Sequence, residues 1–379
     1  MPRFLFASDT FKGTLSSGEL AELLTQAALE FFPDAECVGL EVADGGEGTV
    51  EAVASAMGGR LRRLEVAGPR GGAVRARYAL LDERRALIEM AAASGLPLLA
   101  PQERNPLLTS TYGTGQLIAD ALDQGVREIT LAIGGSASND GGMGCLRALG
   151  VRFLDGQGAE LEGSGGDLAR VCQIDRTALD ARLAETSVRV MCDVDNPLLG
   201  PRGATRVFAP QKGATPEMVE ELERGMENYA HVLESCVAGF DASRPGMGAA
   251  GGLGAATCAL LGAELVSGID CVLDLLDFDE LLKGCDLCVT GEGHADSQSA
   301  HGKVVSGVAA RCHAAGVPCV AIVGAMSPDA AELLQVGVDA LVPTVIDATP
   351  LEELLAHARE NYVSAARRVF SLLRLGTGL

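Results

Sequence analysis

The chain has 379 residues, 47% of them hydrophobic and 21% charged, enough for two domains that each bury a core. Thirty Lys and Arg stand against 51 Asp and Glu, a net charge of −21, which excludes the basic footprint of a nucleic-acid binder or of a protein that docks on an anionic membrane. An anionic substrate then needs a locally basic site.

The first predicted element is a strand over Arg3–Ala7, ending in Ser8-Asp9-Thr10-Phe11-Lys12-Gly13. A helix follows, opened by the capping-box pair Ser16 and Glu19, with Leu20, Leu23, Leu24, Ala27, Ala28 and Phe31 along one face. A second strand, Cys37–Ala43, leads into Asp44-Gly45-Gly46-Glu47-Gly48-Thr49 and a helix to about Met57. From about residue 60 the texture changes. Val74, Ala76, Tyr78 and Leu80 alternate with Arg75 and Arg77 after a Gly-Pro turn, the pattern of a hairpin partner with one wet face. Strand Leu87–Met90, a helix opened by Thr111-Tyr112-Gly113-Thr114-Gly115, and the strand carrying Ile129, Leu131 and Ile133 come next. That last strand runs into Gly134-Gly135-Ser136-Ala137-Ser138-Asn139-Asp140-Gly141-Gly142 and a helix through Ala148. A strand that turns into a helix through consecutive glycines presents unpaired N–H groups, a layout that attracts anions.

Past strand Val188–Met191 stand Cys192-Asp193-Val194-Asp195-Asn196-Pro197, then Pro210-Gln211-Lys212-Gly213 and the glycine run from Gly246 to Gly254. The strand–helix rhythm resumes with Asp286–Thr290, predicted to end in a turn at Gly291-Glu292-Gly293, and a helix from Lys303 to Ala315. Strand Cys319–Val323, a helix near Asp329–Gln335, strand Ala340–Thr344 and a long helix from Leu351 complete the chain. Alternating helices and short apolar strands predict an α/β fold with a Rossmann-like, doubly wound parallel sheet, its ligands at the strands' carboxyl ends. The expected organisation is discontinuous: residues 1–60 and 285–379 form that domain, and 61–284 a mixed α/β domain inserted into it.

No apolar run reaches the roughly 18 residues of a membrane span, and Met1–Phe6 is too short for a signal peptide before Asp9. The 11 cysteines are odd in number and scattered, and Cys192, Cys258 and Cys319 sit in apolar surroundings, as thiols of a cytoplasmic protein do. Cys285 and Cys288 have CxxC spacing, but no second pair exists, and strand positions three apart point to opposite faces, so they read as structural.

Gly246-x-Gly248-x-x-Gly251 matches the dinucleotide pattern yet follows Arg244-Pro245 and not a strand. There is no P-loop, no protein-kinase loop set, and no GxSxG around Ser136. What remains is several Gly-rich turns, lysines within two of them (Lys12 and Lys212), and carboxylates beside glycine. That set suits phosphoryl transfer: lysines and backbone N–H groups neutralise phosphate oxygens, carboxylates hold Mg2+, and one carboxylate takes the proton of the attacking hydroxyl. Each cluster taken alone is also ordinary turn chemistry.

Together the turns carry a resemblance. Ser8-Asp9-Thr10-Phe11-Lys12-Gly13, Ala43–Thr49, Thr111–Gly115, Gly134–Gly142, Cys192–Leu198, Pro210–Ala214, Gly248–Gly254 and Thr290–Gly293 resemble, in order and nearly end to end, the signature turns of the bacterial glycerate kinase type I family. Two small departures are Thr10 where the family usually has Ser, and Ser138 where it usually has Thr. The resemblance implies ATP- and Mg2+-dependent phosphorylation of D-glycerate, giving 2-phosphoglycerate, with 3-phosphoglycerate as the alternative product. A non-catalytic sensor of phosphorylated acids is the reading from another class, and the retained carboxylates speak against it. In this frame Asp193 is the candidate general base, its alternative being an Asx turn. Lys12 and Lys212 would engage the glycerate carboxylate or the transferring phosphoryl group. Gly134, Gly135, Ser136 and Asn139 would cradle the ATP phosphates, and Asp44 with Glu292 would hold Mg2+. A homodimer is compatible with the chain; nothing in its sequence decides the assembly.

Overall fold

The computed structural model describes residues 1–11, 13–42, 48–300, 302–347 and 349–377. Two strands open the chain, β1 (Arg3–Ser8) and β2 (Glu36–Gly39). Eight follow: β3 (Arg60–Ala67), β4 (Ala73–Leu80), β5 (Arg85–Glu89), β6 (Glu128–Ala132), β7 (Arg152–Leu154), β8 (Gln173–Asp175), β9 (Ser187–Met191) and β10 (Glu264–Val266). Three close it, β11 (Leu287–Ala295), β12 (Cys319–Met326) and β13 (Ala340–Pro343). With helices between them, these make a mixed α/β fold of two compact units, Met1–Asp44 with Gly268–Leu379, and Gly45–Ser267.

In the first unit β13, β12, β11, β1 and β2 lie side by side in that order, every pair parallel. Such strands are buried on both faces, and Phe4, Leu5 and Phe6 are accordingly all fully buried. Phe4 and Phe6 face helices Ser17–Phe31 and Ala358–Thr377, where Phe370 stands 5.4 Å from Phe4 and Tyr362 meets Phe11 edge-on at 5.3 Å. The first of these helices starts where its sequence says it should: Ser16 Oγ accepts from Glu19 N, and Glu19 accepts in turn from Ser16 N. Cys288, opposite Cys319 in the β11–β12 ladder, packs against Cys312 of helix Val304–Ala315. Cys285 instead donates to the Leu281 carbonyl.

Three expectations change here. The predicted turn at Gly291-Glu292-Gly293 is strand: β11 runs on to Ala295, paired with β12 as far as Met326. The glycine at 291 serves close strand approach, since a Cβ there would overlap the Ile322 carbonyl oxygen of β12. The long terminal helix is two helices, Leu351–Ala356 and Ala358–Thr377. The second strand ends at Gly39, and the Asp44–Glu47 part of the turn after it lies outside the described residues.

The second unit holds a six-stranded mixed sheet in the order β10, β9, β6, β5, β4, β3, antiparallel in β3–β4–β5 and parallel from β5 to β10. One core gathers Tyr78, Ile88, Leu131 and Val190 of the sheet with Leu117 and Ile118 of helix Tyr112–Asp123. A second surrounds the small β7–β8 pair and helix Pro216–Cys236, with Phe153, Leu168, Leu222 and Tyr229. Helix Met143–Ala148 feeds both, Cys145 into the first and Met143 and Leu146 into the second. The Gly134–Gly142 stretch is therefore pinned where two cores meet.

Candidate functional site

β6 ends at Ala132, and Gly134 and Gly135 then emerge exposed, Gly135 with φ of +73°. The chain does not enter a helix at once. Gly135 O accepts from Leu96 N at 2.8 Å and Ala137 N donates to Ser94 O at 2.9 Å, so the segment lies along residues 94–96 as a short bridge. Ser136, Ala137, Ser138, Asn139 and Asp140 are buried. The helix N-terminus expected to receive an outside anion is filled from within. Asp140 Oδ1 accepts from Gly142 N at 3.1 Å, and its Oδ2 from Gly144 N at 3.2 Å, Thr111 N at 2.7 Å and Thr111 Oγ1 at 2.8 Å. Complete burial pushes this carboxyl's pKa up, and these donors pull against that. Asp140 thus joins the starts of two helices. Its signal in the sequence was the Asn-Asp-Gly-Gly run, which reads equally as a turn.

Beneath the turn lies Lys212, 2% exposed. Its Nζ is 2.7 Å from Ser136 Oγ and 2.6 Å from Ser138 O, placed by the 3-10 turn Pro210–Lys212 and the left-handed Gly213 after it. Burial brings its pKa down to about 7, with the Asp140 charge opposing. Lys212 therefore meets the predicted cradle directly, through Ser136, from the protein side. Asn139 is buried too: Nδ2 donates to Thr205 Oγ1 at 3.1 Å, while Oδ1 has no hydrogen-bond partner among the described residues. The glycine run that mimics a dinucleotide fingerprint supports this segment. Ala250, Gly251 and Gly252 all have positive φ, and a Cβ on Gly251 would overlap the Ser138 carbonyl oxygen.

Asp193 is exposed, two residues past the end of β9. β9 lies beside β6 with Met191 opposite Ala132, so Asp193 and Gly134 each stand two residues beyond a paired position on neighbouring strands. A cavity of about 1120 Å3 borders Gly134 and Gly135. Its wall carries Arg63, Glu65, Arg75 and Arg77 from the β3–β4 hairpin, with Arg63 opposite Arg77 and Glu65 opposite Arg75, and also Glu51 and Glu89. Glu51 pairs with Arg77, and Glu89 Oε1 accepts from Val50 N at 3.0 Å. The wall's three arginines are matched in number by Glu51, Glu65 and Glu89, so the wall as a whole carries no net charge. The alternation at 74–80 showed the wet face, but nothing in it showed what that face lines.

Glu292 belongs to the other unit and is 7% exposed on the wall of a cavity of about 440 Å3 with Asp9, Asp296 and Lys303. Lys303 Nζ lies 4.0 Å from Glu292 Oε2, and Oε1 is buried with no hydrogen-bond partner among the described residues. Burial pushes this carboxyl's pKa up, aided by Asp9 and Asp296, while Ser299 and Lys303 pull it down. An orphaned buried carboxylate oxygen fits the way Mg2+ binds, through one or two carboxylates with water and phosphate completing the shell. Among the described residues no group of three or more His, Cys, Asp or Glu is arranged around a metal. Lys12 and Asp44 lie outside the described residues.

A two-unit mixed α/β fold with buried lysine, carboxylates and glycine turns at strand ends is the kind of scaffold on which small-molecule phosphotransferases are built. The sequence pattern of the Glycerate kinase family matches residues 4–374. Glycerate kinase of Bacillus subtilis (strain 168) is 45% identical over 374 residues, covering 98% of each chain. Glycerate 2-kinase of Escherichia coli (strain K12) is 43% identical over 375 residues, 99% of this chain and 98% of that one. A crystal structure described as a "putative glycerate kinase 2" from Salmonella typhimurium LT2 superimposes with a TM-score of 0.90 at 44% identity over 100% of both chains. The chain belongs to the glycerate kinase family.

Proposed function

We propose that this chain is an ATP-dependent glycerate kinase that transfers the γ-phosphoryl group of ATP to the 2-hydroxyl of D-glycerate, giving 2-phosphoglycerate and ADP. The observation that carries the reading is its similarity, over nearly the whole of both chains, to a protein named glycerate 2-kinase. The site agrees with it chemically. Gly134 and Gly135 keep exposed backbone just past the carboxyl end of β6, where phosphate oxygens can approach without a side chain in the way. Ser136 and Asn139 act from the buried side of the same turn. Lys212 acts through Ser136 and Ser138, holding the turn's shape and adding positive charge beneath it. Asp193, on the neighbouring strand end, takes the proton of the attacking hydroxyl. Lys12 engages the anionic substrate, and Asp44 with Glu292 holds Mg2+, whose charge offsets that of the phosphates. The five-stranded parallel sheet supports a discontinuous, Rossmann-like domain made of the two ends of the chain, with a mixed α/β domain inserted; the compact units favour an insertion of Gly45–Ser267, about 16 residues earlier than the expected 61–284.

No helix among the described residues is long and apolar enough to cross a membrane. The 11 free cysteines suit the cytoplasm, our proposed location. A coupled ADP-release assay with D-glycerate tests the activity, and no ADP above the ATPase background would remove it. Phosphorus NMR of the product then separates 2- from 3-phosphoglycerate.

A further inference from the structure

The 440 Å3 cavity of the Met1–Asp44 and Gly268–Leu379 unit has two unlike walls. It opens at the carboxyl ends of the parallel strands. The order β2–β1–β11–β12–β13 winds outward in opposite directions from the junction of β1 and β11, and open α/β sheets take their ligands at such a switch point. One wall is polar, with Asp9 just past β1, Glu292 within β11, and Asp296 and Lys303 beyond it. The other is apolar: Leu351, Leu354 and Leu355 of helix Leu351–Ala356. Leu351 is 69% exposed and Leu355 49%, so these leucines are not packed into a core. Clustered exposed leucines at a cavity rim are the kind of apolar surface that marks a binding site.

The walls discriminate between ligands. A three-carbon acid meets three carboxylates against one lysine, and its own carboxylate is repelled. In the absence of Mg2+, inorganic phosphate is repelled more strongly still. A ligand with a flat, mainly apolar ring system at one end and hydroxyl donors at the other satisfies both walls. The volume lies within the range of about 300–1,000 Å3 usual for small-molecule sites. We propose that this cavity takes the nucleoside part of ATP, its purine lying on Leu351, Leu354 and Leu355 and its ribose hydroxyls donating to Asp9 and Asp296, the two carboxylates of the wall not assigned to Mg2+. The assignment rests on the kinase reading and adds to it the place of base and sugar.

Binding measured without turnover tests it on the intact chain. Displacement of ADP labelled with a fluorophore on its terminal phosphate, which leaves base and ribose free, by ADP and by adenosine is followed for the parent, for Leu351→Ser/Leu355→Ser and for Leu354→Arg. The two serines replace exposed side chains, so the double variant keeps its fold and decides the matter even where Leu354→Arg does not fold. The expected result is that affinity for both competitors falls roughly tenfold or more in the double variant, while KM for D-glycerate is unchanged. ADP affinity within about twofold of the parent, failure of adenosine to compete in the parent, or a loss confined to D-glycerate would each overturn the assignment. A parent that binds adenosine through these leucines yet releases no ADP with D-glycerate keeps the nucleoside site and loses the kinase reading.

Discussion

Lys212 sits where a charged amine is costly, and its two neighbours suit either protonation state. As ammonium it donates to Ser136 Oγ and to Ser138 O; as neutral amine it donates to the carbonyl and accepts from the Ser136 hydroxyl. Its pKa of about 7 in the fold lies below the ordinary 10.5 of an unfolded chain. Between those values the unfolded chain binds more protons, so this group makes stability rise with pH from about 7 toward 10.5. Urea midpoints measured across that window should rise for the parent relative to Lys212→Met, and parallel curves would mean that Lys212 does not titrate there. Asp140 has no such freedom. Asp140→Asn leaves one acceptor oxygen for four donors and is expected to cost about 2–3 kcal/mol by urea denaturation. Asp193→Asn, at an exposed position, should leave the urea midpoint unchanged and lower kcat by roughly 10^2–10^4 with ADP affinity retained. Near-parental kcat would remove Asp193 as the base.

Secondary-structure elements were read best where the local signal was redundant. Helix Ser17–Phe31 carries both a capping box and an apolar stripe, and both are present in the fold. Ser16→Ala should cost about 1 kcal/mol, seen as a lower urea midpoint with unchanged slope. The hairpin partner at 73–80 was equally plain, since alternation assigns its faces. Glycine was the ambiguous letter. At 291 it permits two strands to approach, at 251 it permits a loop to press on the Ser138 carbonyl, and at 135 it turns the chain left-handed. Those uses look alike in one dimension, which is why β11 was predicted to stop at Thr290. Gly291→Ala should lower stability far more than Gly72→Ala, whose added Cβ meets nothing within 4 Å and whose backbone is not left-handed. Equal thermal midpoints for the two variants would contradict the close β11–β12 approach.

At the scale of the molecule, the Gly45–Ser267 unit is one continuous length of chain with two hydrophobic cores of its own. A fragment spanning 45–267 should fold alone, with a single cooperative urea transition and protected amides in β6 and β9. A broad, sloping melt would show that it depends on the rest of the chain. The other unit is split between the two ends of the sequence, so neither of its pieces holds the five-stranded sheet alone.

Composition, periodicity and turn chemistry by themselves determined the α/β class, most of the elements and the ordered set of turns that marks the family, because each is a local property written in neighbouring residues. Only the tertiary structure decided which turn residues face outward. It left Gly134, Gly135 and Asp193 exposed, buried Ser136, Asn139 and Lys212, and set the Asp140 carboxylate on the helix start that had seemed open to a ligand. It also brought three hairpin arginines to the cavity that borders Gly134, and three leucines to the cavity that holds Glu292. Such neighbours are tens to hundreds of residues apart in the chain, and it is the packing of sheets and cores, which no local pattern records, that brings them together.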